Sequence, residues 1–192
     1  MGGAFALMAS ASARIRDHVS FVSAYAPYAS MWTLGRDIVS ATRWRDGARE
    51  PWDVDPLTRK VFEHTMEAML DAPEARARLL AALDPRQVEQ ALSTLPSGIG
   101  DRLNAMSPIK YVSQIHAPLI VLLHDRDDPV IPVSESRSLR DALADHRGVH
   151  YTEFTVFKHL DPTKSNPKPL PLARELVRFA RAIYPLFEQA VA

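Results

Sequence analysis

The sequence of 192 residues contains no cysteine, so no disulfide, thiolate metal site or cysteine nucleophile can be built from it. Glycine is scarce, 7 residues against 15 prolines, which leaves helix starts and bends to proline rather than to flexible turns. No sign of charge dominates: 23 Lys and Arg face 23 Asp and Glu. Dividing the chain at Ser107 leaves 12 basic and 13 acidic residues before it and 11 and 10 after it, so neither part has the basic footprint of a nucleic-acid binder. Long apolar runs are also missing. The uncharged start, residues 1–13, is stopped by Arg14 and Arg16 well short of the roughly 20 residues a transmembrane span needs. Its Ala-Ser-Ala resembles a signal cleavage site, but the basic segment that opens a secretory signal is missing. No membrane span is expected, and the cytoplasm is the default location.

What is present reads as an α/β chain. A first helix rich in Gly, Ala and Ser, with Gly2 and Gly3 in the turn before it, has side chains small enough for close approach to a sheet. His18 to Ala24 reads as a buried strand that runs out into Tyr25-Ala26-Pro27-Tyr28. From Ser30 to Met106 no strand of comparable strength follows. Instead, Asp55-Pro56, Asp71-Ala72-Pro73 and Asp84-Pro85 each set an acidic cap beside a proline that loses nothing in a first helical turn. The apolar sets Leu57, Val61, Met66, Met69, then Leu79, Leu80, Leu83, then Val88, Leu92, Leu95 come after these starts, and Pro96 to Gly100 closes the series. The expected organisation is therefore a core of residues 1–29 and 107–192, interrupted by a helical cap over 30–106.

Beyond Ala117-Pro118, the uninterrupted run Leu119 to Leu123 is the clearest strand, and a central one. A polar loop, a helix from Ser134 to Ala144, a strand from Val149 to Phe157, a proline-rich loop and a last helix from Leu172 to about Ala190 complete the pattern. In that last helix Leu176, Phe179, Ile183 and Phe187 share one face. Strand and helix in alternation imply parallel pairing, about three strands in all.

In an open α/β sheet the chemistry sits in the loops leaving the C-terminal strand ends. The first such loop carries His124-Asp125-Arg126-Asp127-Asp128-Pro129-Val130-Ile131-Pro132, and the second carries His159. A carboxylate and an imidazole from neighbouring loops can form the acid and base of a catalytic triad. The aspartates also suit a solvated turn, but as a calcium loop they lack the later glycine and closing glutamate, so no metal is expected.

These residues resemble the α/β-hydrolase superfamily, in which the penultimate strand is often followed by His-Gly-x-x-Asp-x-x-Val-Pro. Asp125 stands where the family has glycine and Ile131 where it has valine. The resemblance implies Asp128 as triad acid, His159 as triad histidine, His124 as structural, the helical stretch as a lid, a small ester or amide as substrate, and no cofactor. The other histidines have no partner pattern. Tyr25, Tyr28 and Trp32, near a strand end, would line an apolar substrate pocket, although aromatics so placed also serve as core.

The family's nucleophile motif, Gly-x-Ser-x-Gly, does not occur in the sequence. The start Met1-Gly2-Gly3-Ala4 does resemble the family's stretch just beyond that serine, and by this alignment Met1 is the residue after the nucleophile and an oxyanion-hole position. The serine would then lie upstream, the chain alone would be inactive, and its uncovered sheet edge would favour self-association. Two other readings stay open: a non-catalytic remnant or interaction module, and a hydrolase with an aspartate nucleophile.

Overall fold

The computed structural model describes residues 2–69, 74, 77, 79, 81, 84–157, 159 and 168–191. They fall into two compact units, one of residues 1–29 with 108–192 and one of residues 30–107. The expected helix start at Asp71-Ala72-Pro73 and the apolar positions Leu80 and Leu83 lie outside the described residues.

The first unit is built on a parallel sheet of three strands in the order β1-β4-β5, with β1 Val22–Tyr25, β4 Ile120–Asp125 and β5 Val149–Phe154. Its register pairs Val22 with Ile120, Tyr25 with Leu123, and Asp125 with Phe154. All six residues of β4 are buried, as a central strand covered on both faces requires. On one face, Val22, Ala24, Ile120 and Leu122 meet Leu7 and Ala11 from helix α1 (Gly2–Ser10) with its following turn, and Leu139 and Leu143 from helix α6 (Val133–Ala142) and its C-cap. On the other, Leu119, Val121, Leu123 and Phe154 meet Ala182, Phe179 and Ile183 of helix α7 (Pro169–Val191).

Gly2 and Gly3 belong to α1 itself, not to a turn before it. The close approach is nevertheless real: a Cβ on Gly3 would lie 2.9 Å from the Tyr25 carbonyl oxygen and 3.1 Å from Ala24 Cβ. β1 starts at Val22, because Arg16–His18 forms a 3₁₀ turn. β5 ends at Phe154 because the next amides leave the ladder for side chains, Thr155 N–H to Glu175 (3.3 Å) and Phe157 N–H to Asp125 (2.5 Å). In α7 only half of the expected face is inward: Phe179 and Ile183 pack on the sheet, whereas Leu176 and Phe187 are exposed.

The second unit holds helices α2 (Met31–Ser40), α3 (Pro56–Met69), α4 (Pro85–Ser93) and α5 (Ser97–Ala105), with β2 (Thr42–Arg45) and β3 (Ala48–Pro51). The acidic caps act as the sequence implies. Asp55 accepts from Thr58 N–H at 3.0 Å, and Asp84 from Arg86 and Gln87 N–H at 2.9 and 3.0 Å. Val88, Leu92 and Met66 are buried, but Leu57 and Val61 are exposed and Phe62 takes the inward position in α3.

Two elements add to the expectation of a helical segment with no strand comparable to the first, its helix series closed at Gly100. Thr42 to Pro51 forms an antiparallel hairpin whose two-residue loop, Asp46-Gly47, has φ of 47° and 88°. Asp-Gly is the usual chemistry for that left-handed pair of turn residues, so the signal was present in the sequence. Residues Ser97–Ala105 continue as a helix after Pro96, with Leu103 buried. Among the described residues, no helix is long and apolar enough to cross a membrane.

Candidate active site

The loop after β4 turns tightly around its own carboxylates. Asp128 is fully buried, and its Oδ1 accepts hydrogen bonds from Val130 N–H at 2.7 Å and Ile131 N–H at 3.0 Å. Its Oδ2 faces His159 Nδ1 at 2.6 Å. The two predicted residues, 31 positions apart, are thus brought together by neighbouring strand ends. Because Asp128 packs as a carboxylate acceptor between two amides and an imidazole, it sets the tautomer: Nδ1 carries the proton and donates, which leaves the Nε2 lone pair available as a base. The His159 side chain keeps 29% of its surface exposed, so the ring is reachable while its partner is not. His159 also holds a left-handed backbone, φ 60°, a conformation costly for a residue with a side chain and found preferentially where function imposes it.

Asp125, where the hydrolase pattern has glycine, is buried and ties the two loops together. Its Oδ1 accepts from Asp127 N–H at 2.9 Å, and its Oδ2 accepts from Phe157 N–H, two residues before His159. The sequence does not show this positioning role: there Asp125 reads as part of a solvated turn and as a departure from the family pattern. Glu135 and Ser136 were missed as well. Glu135 accepts from Ala29 N–H at 2.8 Å and Ser136 Oγ lies 3.0 Å from the Pro27 carbonyl, so the start of α6 anchors the exit of β1. The signal for these two was a polar pair in a helix start facing a buried strand end, which only a known topology makes legible.

His124 is fully buried. Its Nε2 donates to the Ile131 carbonyl at 2.9 Å, and its Nδ1 faces the Ser136 hydroxyl. Burial lowers its pKa from the ordinary 6.5, against the raising influence of Asp128 and the Ile131 carbonyl. The consequence for stability has a definite sign. The unfolded imidazole takes up a proton below about pH 6.5 while the folded one stays neutral, so the stability His124 contributes is complete above that pH and declines below it. The urea midpoint is expected to fall between pH 7.5 and pH 5.5, with a slope approaching about 1.4 kcal/mol per pH unit for one proton. His124→Gln should flatten that slope; an unchanged slope would refute the assignment.

The remaining predicted residues divide. Tyr25 stands beside the pair, its ring edge-on to the His159 imidazole at 6.2 Å. Tyr28 is 1% exposed, and burial, aided by Glu135, pushes its phenol up to about 12, so it is a core residue and not a pocket wall. Trp32 belongs to the second unit, where its indole N–H donates to Asn104 at 3.0 Å. Met1 lies outside the described residues. The start of α1 is placed, however: Gly3 packs against Tyr25, the residue that touches His159. Among the described residues, no group of three or more His, Asp or Glu side chains could hold a metal ion.

The fold and the pair define an α/β protein with a buried-acid, exposed-imidazole couple at the C-terminal rim of a parallel sheet. No protein-family model and no curated protein matches the chain.

Proposed function

We propose that this chain forms the acid–base part of a hydrolase of the α/β type, acting on small carboxylic esters or amides. The observation that carries the reading is the 2.6 Å contact between a fully buried Asp128, held by two backbone amides, and a partly exposed His159 whose Nε2 meets no hydrogen-bond partner among the described residues. In such a site His159 takes the proton of a hydroxyl nucleophile and later returns it to the leaving group, while Asp128 fixes the ring and stabilises its charged form. The nucleophile is a serine delivered by a segment beyond these 192 residues. The α1 start next to Tyr25 supports this, since a helix N-terminus there offers amide dipoles to a developing oxyanion. Residues 30–106 would serve as the lid.

The second reading, a non-catalytic interaction module, is favoured by the lack of any Gly-x-Ser-x-Gly elbow in the sequence. Hydrolysis of a short p-nitrophenyl ester separates the two. The expected result is no turnover by the 192 residues alone, turnover when the preceding in-frame coding segment is translated with them, and a loss of about 10³-fold or more on His159→Ala. Inactivity of both products, or activity indifferent to His159, would overturn the reading.

A further inference from the structure

The edge of the sheet at β5 is open over half its length. Ladder bonds from Ile120 N–H to the Gly148 carbonyl and from Arg126 N–H to the Phe154 carbonyl show that even-numbered residues of this strand face β4. Val149, Tyr151, Glu153 and Thr155 therefore turn their main-chain groups outward. Helix α7 closes the far end of that edge: Arg178 donates to the Glu153 carbonyl at 3.2 Å, and Glu175 accepts from Thr155 N–H. The N–H and C=O of Val149 and Tyr151 have no partner among the described residues, and the usual blunting of an edge by proline or lysine is missing from the strand.

Beside this open stretch runs a groove of about 860 Å³ between β5 and α7. Arg174, Arg178 and Arg181 line it, and no carboxylate does. Arg178 is engaged by Glu175 at 3.1 Å, whereas Arg174 and Arg181 are exposed and pair with no described carboxylate. The three arginines lie at intervals of four and three residues, one stripe of the helix. Their axial spacings of about 6 and 4.5 Å fall short of the roughly 6.6 Å between alternate side chains of an extended strand, a difference the long arginine side chains can span. The helix advances along the strand in the opposite sense, Glu175 against Thr155 and Arg178 against Glu153.

We propose that the β5 edge binds an extended acidic peptide segment of a partner protein, which adds as a further strand on the main-chain groups of Val149 and Tyr151 while alternate Asp or Glu side chains meet Arg174, Arg178 and Arg181. Strand addition supplies the affinity and the arginine stripe selects the acidic sequence. The surface is at the opening end of β5, away from His159 at its exit, so the binding stands or falls independently of hydrolysis.

A fluorescein-labelled peptide alternating Glu and Val, titrated into the full chain at low salt, tests it. The expected result is a saturable rise in anisotropy, slowed amide exchange at Val149 and Tyr151, and binding weakened by about tenfold or more in Arg174→Glu/Arg181→Glu. Both positions are exposed, so the variant should keep the parent's circular dichroism; His159→Ala should bind like the parent. Equal binding of a Lys/Val peptide, or of a Glu/Val peptide N-methylated at alternate residues, would reduce the effect to loose ionic adsorption and overturn the proposal. So would unprotected Val149 and Tyr151 amides, or a dimer of this chain that occupies the edge and is not displaced by the peptide.

Discussion

Gly148→Ala is expected to destabilise the protein by about 3 kcal/mol or more, a large part of the stability a domain of this size possesses. A Cβ at this position would stand 1.8 Å from the Pro118 carbonyl oxygen and 2.9 Å from its carbon. Both are main-chain atoms at the entrance to β4, so no side-chain rotation relieves the overlap. Moving either strand would disturb the bond from Ile120 N–H to the Gly148 carbonyl, 2.8 Å, which opens the β4–β5 ladder. The measurement is the urea midpoint; a variant as stable as the parent would show that the strand entrance yields. The effect reaches the candidate site, since the same ladder sets Asp125 opposite Phe154 and so places the two loops that bring Asp128 to His159.

Substitutions of Asp128 should separate folding from chemistry. Asp128→Ala removes the acceptor of Val130 and Ile131 N–H and leaves the buried Ile131 donor unsatisfied, at about 1–3 kcal/mol, with a smaller cost for the half-buried Val130 donor. Asp128→Asn keeps an oxygen for those two amides but turns an amino group towards His159 Nδ1. The imidazole then accepts at Nδ1 and carries its proton on Nε2, the wrong tautomer for a base. The expected result is a clear loss of stability for Asp128→Ala, near-parental stability for Asp128→Asn, and in an active longer product a fall of about 10⁴-fold in kcat for Asp128→Asn. If Asp128→Asn hydrolysed esters as the parent does, the acid role of Asp128 would be refuted.

Much of the scaffold was legible before any coordinates. The run Leu119 to Leu123, with Ala117-Pro118 before it and charged residues after it, has the length and uniform apolarity of a doubly covered strand; the strand found, Ile120–Asp125, begins one residue later and runs on through His124 and Asp125, which the sequence placed in the loop. Asp55-Pro56 and Asp84-Pro85 announce helix starts because cap chemistry acts within three residues. The hairpin at Asp46-Gly47 was equally local and was overlooked because its flanking residues, Thr42-Arg43-Trp44-Arg45, carry little apolar character. Ion pairs rather than core contacts define it, with Arg43 on Glu50 at 2.8 Å and Arg49 on the buried Asp37 at 2.9 Å. The expected sets on α3 and α7 divide for another reason: several apolar stripes coexist on each helix, and only the neighbouring surface keeps Met66, Phe179 and Ile183 inward, brings in Phe62 and leaves Leu57, Val61, Leu176 and Phe187 exposed.

By itself the sequence determined the alternation of strands and helices, the acidic helix caps and the polar turn that carries Asp128, because each depends on residues a few positions apart; the parallel sheet followed from that alternation and its crossovers, although its pairing joins residues as distant as Val22 and Ile120. Tertiary structure alone decided that Asp128 is wholly buried, that Asp125 links the two loops, that Tyr28 is core while Tyr25 reaches the imidazole, and that β5 keeps an open edge beside three arginines. Those features depend on the register of strands separated by some thirty residues or more, where a shift by one position would turn every side chain to the opposite face.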